Sequence, residues 1–290
     1  ISPDHIGPGE HADFEEYLYY KTRLLNMCGI GLVNKDDEHA PQIIKAANCE
    51  LYTYSEESKE ADFVASDIRY VSQPDFVGTE FHISGKYDME VRLGIPGLFN
   101  VVNALAAVSV CSFLGLDQAR ISHALENIRV NGRMEIVYTS ERCTVLVDYA
   151  HNAVSMESLL STLRDYKPKR LVCVFGCGGN RSKDRRYSMG EIGGKMADLS
   201  IITADNSRYE KVEDIIADIR GSIEKTGGKF IEIPDRREAI RYSILHAQPG
   251  DMVAVIGKGH EDYQEINGVR HHFLDREVIE ETVKELGEKA

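Results

Sequence analysis

No run of about 20 apolar residues occurs in this 290-residue sequence, which excludes a membrane-spanning helix. The opening ISPDHIGPGEHADFEE has neither a basic flank nor an apolar core, so it does not read as a signal peptide. It also lacks an initiator Met, as expected of a chain that begins inside a longer product. Cys173 and Cys177 have no second closely spaced pair to complete a zinc site. With Cys28, Cys49, Cys111 and Cys143 they are expected as reduced, mostly buried thiols of a cytoplasmic protein. No GxxxxGK[ST] phosphate loop is present, and no serine sits in a nucleophile elbow. Basic charge is scarce: 34 Lys and Arg face 47 Asp and Glu, a net charge of -13, which argues against a nucleic-acid partner.

What is present describes an ordinary globular protein, 42% hydrophobic and 28% charged, long enough for two domains. The spacing predicts a helix over 13–26, a short strand at GIGLVNKDD, a helix over 40–47 and a strand at LYTYS. Alternation between 61 and 95 predicts sheet, partly antiparallel, and a largely buried helix follows over 100–114, then another over 117–127. Asn131–Gly132 marks a turn and a domain boundary, giving domains over 1–131 and 132–290. Beyond it, strands CTVLVDYA, RLVCVFG, LSIITAD, KFIEIP and DMVAVIG alternate with helices over 154–165, 188–196, 212–222 and 235–246. That alternation predicts an α/β, Rossmann-like doubly wound domain with a mainly parallel sheet, whose ligands bind beyond the carboxyl ends of the strands.

The chemically notable residues fall at those ends. The strand at 171–175 empties into GCGGNRSKDRR, where glycines permit close backbone approach and Arg181, Lys183, Arg185 and Arg186 suit an anion, most plausibly phosphate. Asp148 suits a ribose or a magnesium ion, and His151 suits a phosphate or a helix-cap region. In Asp205–Asn206–Ser207–Arg208 the Arg can pair bidentately with a carboxylate, or Glu210 can simply neutralise it. GKGHEDYQ brings a flexible turn at Gly257 beside Lys258, His260 and Glu261, the last a receptor for an ammonium group. Nearer the start, His5 and neighbouring carboxylates can coordinate a divalent cation, while Lys21 also reads as an exposed helical lysine. Asn100 and Asn103 share one side of an apolar helix and can read a purine ring or satisfy backbone groups.

In these stretches, together with GLFNVVNALAA and NGRMEIV, the sequence closely resembles the bacterial Mur ligase family, specifically the tripeptide synthetases that extend UDP-N-acetylmuramoyl-L-alanyl-D-glutamate. The resemblance covers the later part of a central ATPase domain, ending near 131, and the full C-terminal domain. It implies a fragment of a larger enzyme, whose 290 residues by themselves are expected not to complete the reaction. The implied reaction uses ATP and Mg2+ to form an acyl phosphate on the D-glutamate side chain, which an amine then attacks. By the same resemblance, Lys21 is the carbamylated, metal-associated lysine and His5 the metal-associated histidine. His151 and Lys183 join Lys21 as catalytic residues, with Lys183 at phosphate. Asn100 and Asn103 lie near adenine, and Arg133 and Asp148 make interdomain nucleotide contacts. Asn206, Arg208, Gly257 and Glu261 hold the incoming amino acid. Retained Arg208 favours meso-diaminopimelate, since lysine ends in an ammonium that an Arg would repel. An L-lysine-adding ligase and a non-catalytic nucleotide- or amino-acid-binding fragment are the alternatives. Ser207 departs from the family's Pro, removing a fixed backbone angle ahead of Arg208. The expected partners are the UDP-linked dipeptide and a diamino acid, with no nucleic acid, no membrane and a monomeric state.

Overall fold

The protein is described by a computed structural model over residues 11–287. Two compact units result: one formed by residues up to Arg69, Thr79–Leu93 and Leu98–Asn127, the other by Tyr70–Gly78, Gly94–Gly97 and the chain from Ile128.

In the first unit, Asp13 caps helix α1 (Phe14–Arg23) by accepting from the Glu16 N–H at 2.8 Å, and a 3-10 turn follows. A five-stranded sheet runs in the order β1 (Ile30–Asn34), β2 (Glu50–Ser55), β3 (Phe63–Gln73), β4 (Phe76–Gly85), β5 (Met89–Leu93), with the end of β3 from Tyr70 and the start of β4 to Gly78 counted in the second unit. Its first three strands are parallel and β4–β5 antiparallel. Helix α2 (Ala40–Ala46) packs beside β1, and α3 (Leu98–Phe113) and α4 (Gln118–Asn127) close the core. The expectation of a largely buried α3 needs correction. Val101, Ala104, Leu105 and Val108 bury one face against Phe63, Phe81 and Val91, while Asn103 and Val110 on the other face stay exposed.

The second unit is built on a six-stranded sheet in the order β10 (Phe230–Glu232), β9 (Leu199–Ile202), β8 (Arg170–Phe175), β11 (Asp251–Ile256), β7 (Cys143–Asp148), β6 (Glu135–Thr139). All pairs are parallel except β6–β7. Side-chain alternation divides the strands between two cores. Leu171, Cys173, Phe175, Met252, Ala254 and Ile256 point one way, against helices α5 (Ala153–Asp165), α6 (Lys183–Met196) and α7 (Val212–Thr226). Val172, Val174, Val253 and Val255 point the other way, against α8 (Arg236–Leu245) and α9 (Asp275–Glu285). Continuous apolar strands with helices on both faces are what a parallel sheet requires.

Several elements differ from expectation. Helix α6 begins at Lys183 rather than at 188, because Ser182 caps it by accepting from the Asp184 N–H and Asp184 sits in its positive first turn. Lys183, Arg185 and Arg186 are therefore helical, not loop, residues. An antiparallel hairpin, β12 (Tyr263–Ile266) and β13 (Val269–His272), follows the GKGHE turn. Helix α9 then buries Val278, Ile279, Thr282 and Val283.

Candidate active site

Beyond the carboxyl ends of β7, β8, β9 and β11 lies a cavity of about 370 Å³. It is lined by Tyr149 and His151, by Gly176–Gly178, Arg181 and Arg185, by Asp205, Asn206 and Arg208, and by Gly257, Glu261 and Tyr263. Four separate loops thus meet at the one end of the sheet where this topology places ligands.

The glycine loop is shaped first by its own chain. A Cβ on Gly176 would fall 2.2 Å from the Thr203 carbonyl oxygen, and one on Gly179 would fall 1.9 Å from that of Ser207. Side-chain-free backbone lets the loop after β8 lie flat against 203–207, locked by the Gly179 N–H donating to the Asn206 carbonyl at 2.9 Å. Close approach was expected toward a ligand; at these two positions it serves the neighbouring loop. Asn180 then adopts a left-handed conformation, φ 53°, and its side-chain oxygen accepts from the Tyr209 N–H.

The four cations downstream separate into two pairs. Arg181 and Arg185 line the cavity. Arg186 is buried and donates to Glu210 and Asp218, each at 2.8–2.9 Å. Lys183 is mostly exposed, 3.0 Å from Asp218, and is not among the lining residues. That ion pair holds the Lys183 ammonium above its usual range. Burial works against the charge of Asp218, yet the hydrogen bonds from Arg186 and Lys183 win and keep its carboxyl below the ordinary range.

Opposite the arginines stands a dense polar network. Lys258 is fully buried, donates to the Tyr263 carbonyl and lies 3.4 Å from Glu261. Glu261 also accepts from the Asn206 amide at 2.9 Å and from the Tyr149 hydroxyl at 3.3 Å. Asn206 in turn accepts from the Glu265 N–H at 2.9 Å. Gly257 turns at φ 111°, and a Cβ there would lie 2.8 Å from the Asp205 carboxylate. Arg208 takes φ 51°, donates to the Gly179 carbonyl at 2.7 Å and sits 3.5 Å from Glu265.

Asp148 ends β7 with both carboxylate oxygens engaged, by the Met134 N–H at 2.8 Å and the Ala150 N–H at 2.7 Å. Burial raises its pKa, opposed by those two donors and by nearby Arg133. The exposed Arg133 guanidinium lies 5.4 Å from the Tyr149 ring centre. His151 has Nδ1 2.9 Å from the Tyr149 carbonyl, which assigns the proton to Nδ1 and leaves Nε2 as an acceptor in the neutral ring. Asn152, next along, caps α5 in a reciprocal box with Ser155. Both readings of this segment therefore have a place, the imidazole at the cavity and the cap one residue later.

His151, Asn206, Arg208, Gly257 and Glu261 thus come together around one cavity, whereas Lys183 and Asp148 are committed to protein partners beside it. Asn100 and Asn103 belong to the first unit, on α3, where the Asn103 amide is 3.4 Å from the Asn100 oxygen. Lys21 is exposed on α1 with its ammonium 5.2 Å from the Tyr17 ring centre, and His5 lies outside the described residues. Among the described residues no three His, Cys, Asp or Glu side chains converge to hold a metal ion. An unmodified ammonium at Lys21 has no lone pair to offer a cation. Sequence reasoning passed over Tyr149 and Tyr263 as lining residues and Asp205 as a partner of Gly257. Their signal was adjacency to the DYAH, DNSR and GKGHEDYQ motifs.

The models of two family regions match the chain. Residues 132–259 match the Mur ligase glutamate ligase domain, and residues 1–111 match the Mur ligase middle domain. The chain belongs to the Mur ligase family. A UDP-N-acetylmuramoyl-L-alanyl-D-glutamate--2,6-diaminopimelate ligase of Clostridium acetobutylicum is 39% identical to this Mur ligase chain over 282 residues, covering 97% of it and 57% of that protein. The ligase of the same name from Caldanaerobacter subterraneus is 36% identical, covering 98% of the chain and 58% of its own length. A solved structure of a ligase of this name superposes with a TM-score of 0.78 at 34% identity, covering 99% of the chain and 59% of that structure. This Mur ligase chain therefore spans somewhat over half the length of the curated relatives it matches. No helix among the described residues is long and apolar enough to cross a membrane.

Proposed function

We propose that the chain carries the amino-acid-binding part of an ATP-dependent ligase that adds meso-diaminopimelate to UDP-N-acetylmuramoyl-L-alanyl-D-glutamate in cytoplasmic peptidoglycan synthesis. Residues 1–131 would be the later part of the central ATPase domain and 132–290 the C-terminal domain, and the protein would act as a monomer. The observation that carries this reading is the charge layout of the cavity. Arg181, Arg185 and Arg208 stand in one cavity with Asp205 and Glu261, a complement for a ligand bearing two carboxylates and two ammonium groups.

In the proposed reaction the D-glutamate carboxylate accepts the γ-phosphoryl group of ATP, releasing ADP. The amine then attacks the activated carbonyl carbon, loses a proton, and phosphate leaves to give the amide. Glu261 and Asn206 would orient the amine, Glu261 with its charge already partly met by Lys258. Arg208 would hold the distal carboxylate, with Arg181 and Arg185 supplying further positive potential. His151, through Nε2, would accept a hydrogen bond from a protonated group or the amine. Lys183 would reach phosphate only by leaving Asp218. Asn100 and Asn103 for adenine, Arg133 and Asp148 for the nucleotide, and Lys21, once carbamylated, with His5 for Mg2+ would complete the reading. Calorimetric titration of the chain with meso-diaminopimelate and with L-lysine tests it. Tighter binding of diaminopimelate is expected, and equal or tighter binding of lysine would refute it.

A further inference from the structure

The β12–β13 hairpin has no role in the reading above, yet its Glu265 touches both residues that would hold the amino acid. Its N–H donates to the Asn206 side-chain oxygen at 2.9 Å, and its carbonyl accepts from the Arg208 N–H at 3.0 Å. Its carboxylate lies 3.5 Å from Arg208 Nε. Asn267 closes the arrangement by donating to the Arg208 carbonyl, so Arg208 is pinned from both sides of its backbone in a left-handed conformation. Ser207, which lacks the fixed angle of a proline, precedes it; the hairpin supplies the restraint that the sequence at 207 does not.

Arg208 lines the cavity and Glu265 does not. The carboxylate therefore backs the guanidinium from outside, through Nε, while Nη1 is held by the Gly179 carbonyl at 2.7 Å. Nη2 makes none of these contacts and remains to meet a ligand. Both side chains are about one-fifth exposed, Arg208 23% and Glu265 21%, so water screens their interaction only in part.

We infer that Glu265 is a positioning residue that tunes amino-acid selectivity: it aims Arg208 and, by partly cancelling its charge, weakens the preference for a diamino acid with a second carboxylate. This rests on the reading of the cavity as a diamino-acid site. A bound distal carboxylate would meet one edge of a guanidinium whose other edge already faces an anion. Two anions about 7 Å apart across one guanidinium repel by an amount equal to about threefold in affinity even at the dielectric of bulk water, and by more where screening is partial.

The test is Glu265→Gln in the 290-residue chain, titrated calorimetrically with meso-diaminopimelate and with L-lysine. The amide keeps an acceptor for Nε and leaves the backbone bonds of residue 265 in place, while the negative charge is gone. Diaminopimelate is expected to bind at least about threefold more tightly, with lysine unchanged or weaker, so the selectivity ratio rises. Glu265→Asp, which retains the charge on a shorter stem, is expected to leave the ratio near that of the unaltered chain. A ratio that does not rise in Glu265→Gln, including equal losses for both ligands as a purely structural role would give, overturns the inference alone. Failure of the unaltered chain to bind diaminopimelate overturns the reading of the cavity and this inference with it.

Discussion

Gly179→Ala is expected to damage the proposed amino-acid site more than any other single-methyl addition to the loop after β8. Gly179 does not occupy a left-handed conformation, so the effect is expected from contact. The new Cβ would lie 1.9 Å from the Ser207 carbonyl oxygen. Carbon and oxygen pack at about 3.3 Å, so the 203–207 segment must retreat by about 1.4 Å. Two bonds stand in the way of that movement: Gly179 N–H to the Asn206 carbonyl, 2.9 Å, and Arg208 to the Gly179 carbonyl, 2.7 Å. Losing a neutral bond costs about 0.5–1.5 kcal/mol and a charged one about 1.5–3, together about 2–4.5 kcal/mol. Because the displaced residues include Asn206 and Arg208, ligand binding should fall further than stability, as a misplacement of about 1 Å can cost about 100-fold. Urea denaturation and diaminopimelate titration measure the two effects side by side. A variant that unfolds and binds like the unaltered chain would show that the loops do not pack together, and the reasoning would fail.

Other expectations follow from the same fold. Gly221→Ala, inside α7 with nothing within 4 Å of the added carbon, should stabilise the protein by about 0.5–1 kcal/mol in the same denaturation assay. Arg236 and Asp275 form a fully buried pair at 2.7 Å, and Arg236 also donates to the carbonyls of Ala204 and Ile256. Arg236→Met alone should cost about 3–5 kcal/mol by stranding a buried carboxylate, and adding Asp275→Leu should recover a large part of it, as read by denaturant midpoints. Asp198 has its carboxyl held below the usual range: burial opposes ionisation, but the bonds from Arg164 and the Leu171 N–H outweigh it. A depressed folded pKa contributes stability that is present above the unfolded value near 3.8 and lost as pH falls through the folded one. Carboxyl NMR titration should therefore place Asp198 below its ordinary range and return it toward that range in Arg164→Ala.

The second unit was largely legible because its strands declare themselves. LVCVF and MVAVI, within these strands, are continuous apolar runs, the pattern of strands buried on both faces, and the helices between them are of crossover length. Placing the site needed only the rule about strand carboxyl ends. The start of α6 was obscured because a cluster of cations after glycines reads as a loop, although the Ser182–Asp184 cap was there to be seen. Helix α9 carried a readable spacing at Val278, Ile279, Thr282 and Val283, whereas β6, five residues beyond a turn, offered too short a pattern. The assignment of charges was beyond local sequence. Whether Lys183 or Arg185 borders the cavity depends on where Asp218, 35 residues on from Lys183, lies in the fold. Burial of Lys258 likewise depends on acceptors at Asn206, Glu261 and Tyr263 that only the assembled loops bring together.

The interlocked loops at 176–182 and 203–209 also bear on how such a site can be re-engineered. Each loop is the mould for the other: the glycines leave room for one backbone path, and that path occupies the room. A graft that imports 203–209 from a ligase of different amino-acid preference, while leaving 176–182 in place, would bring a guest into a groove cut for another. The two segments, with the hairpin that clasps Arg208, form the smallest transplantable cassette. Natural drift in one should leave a matching trace in the other, so paired substitutions across these positions are where a change in the preference of the proposed site would be written.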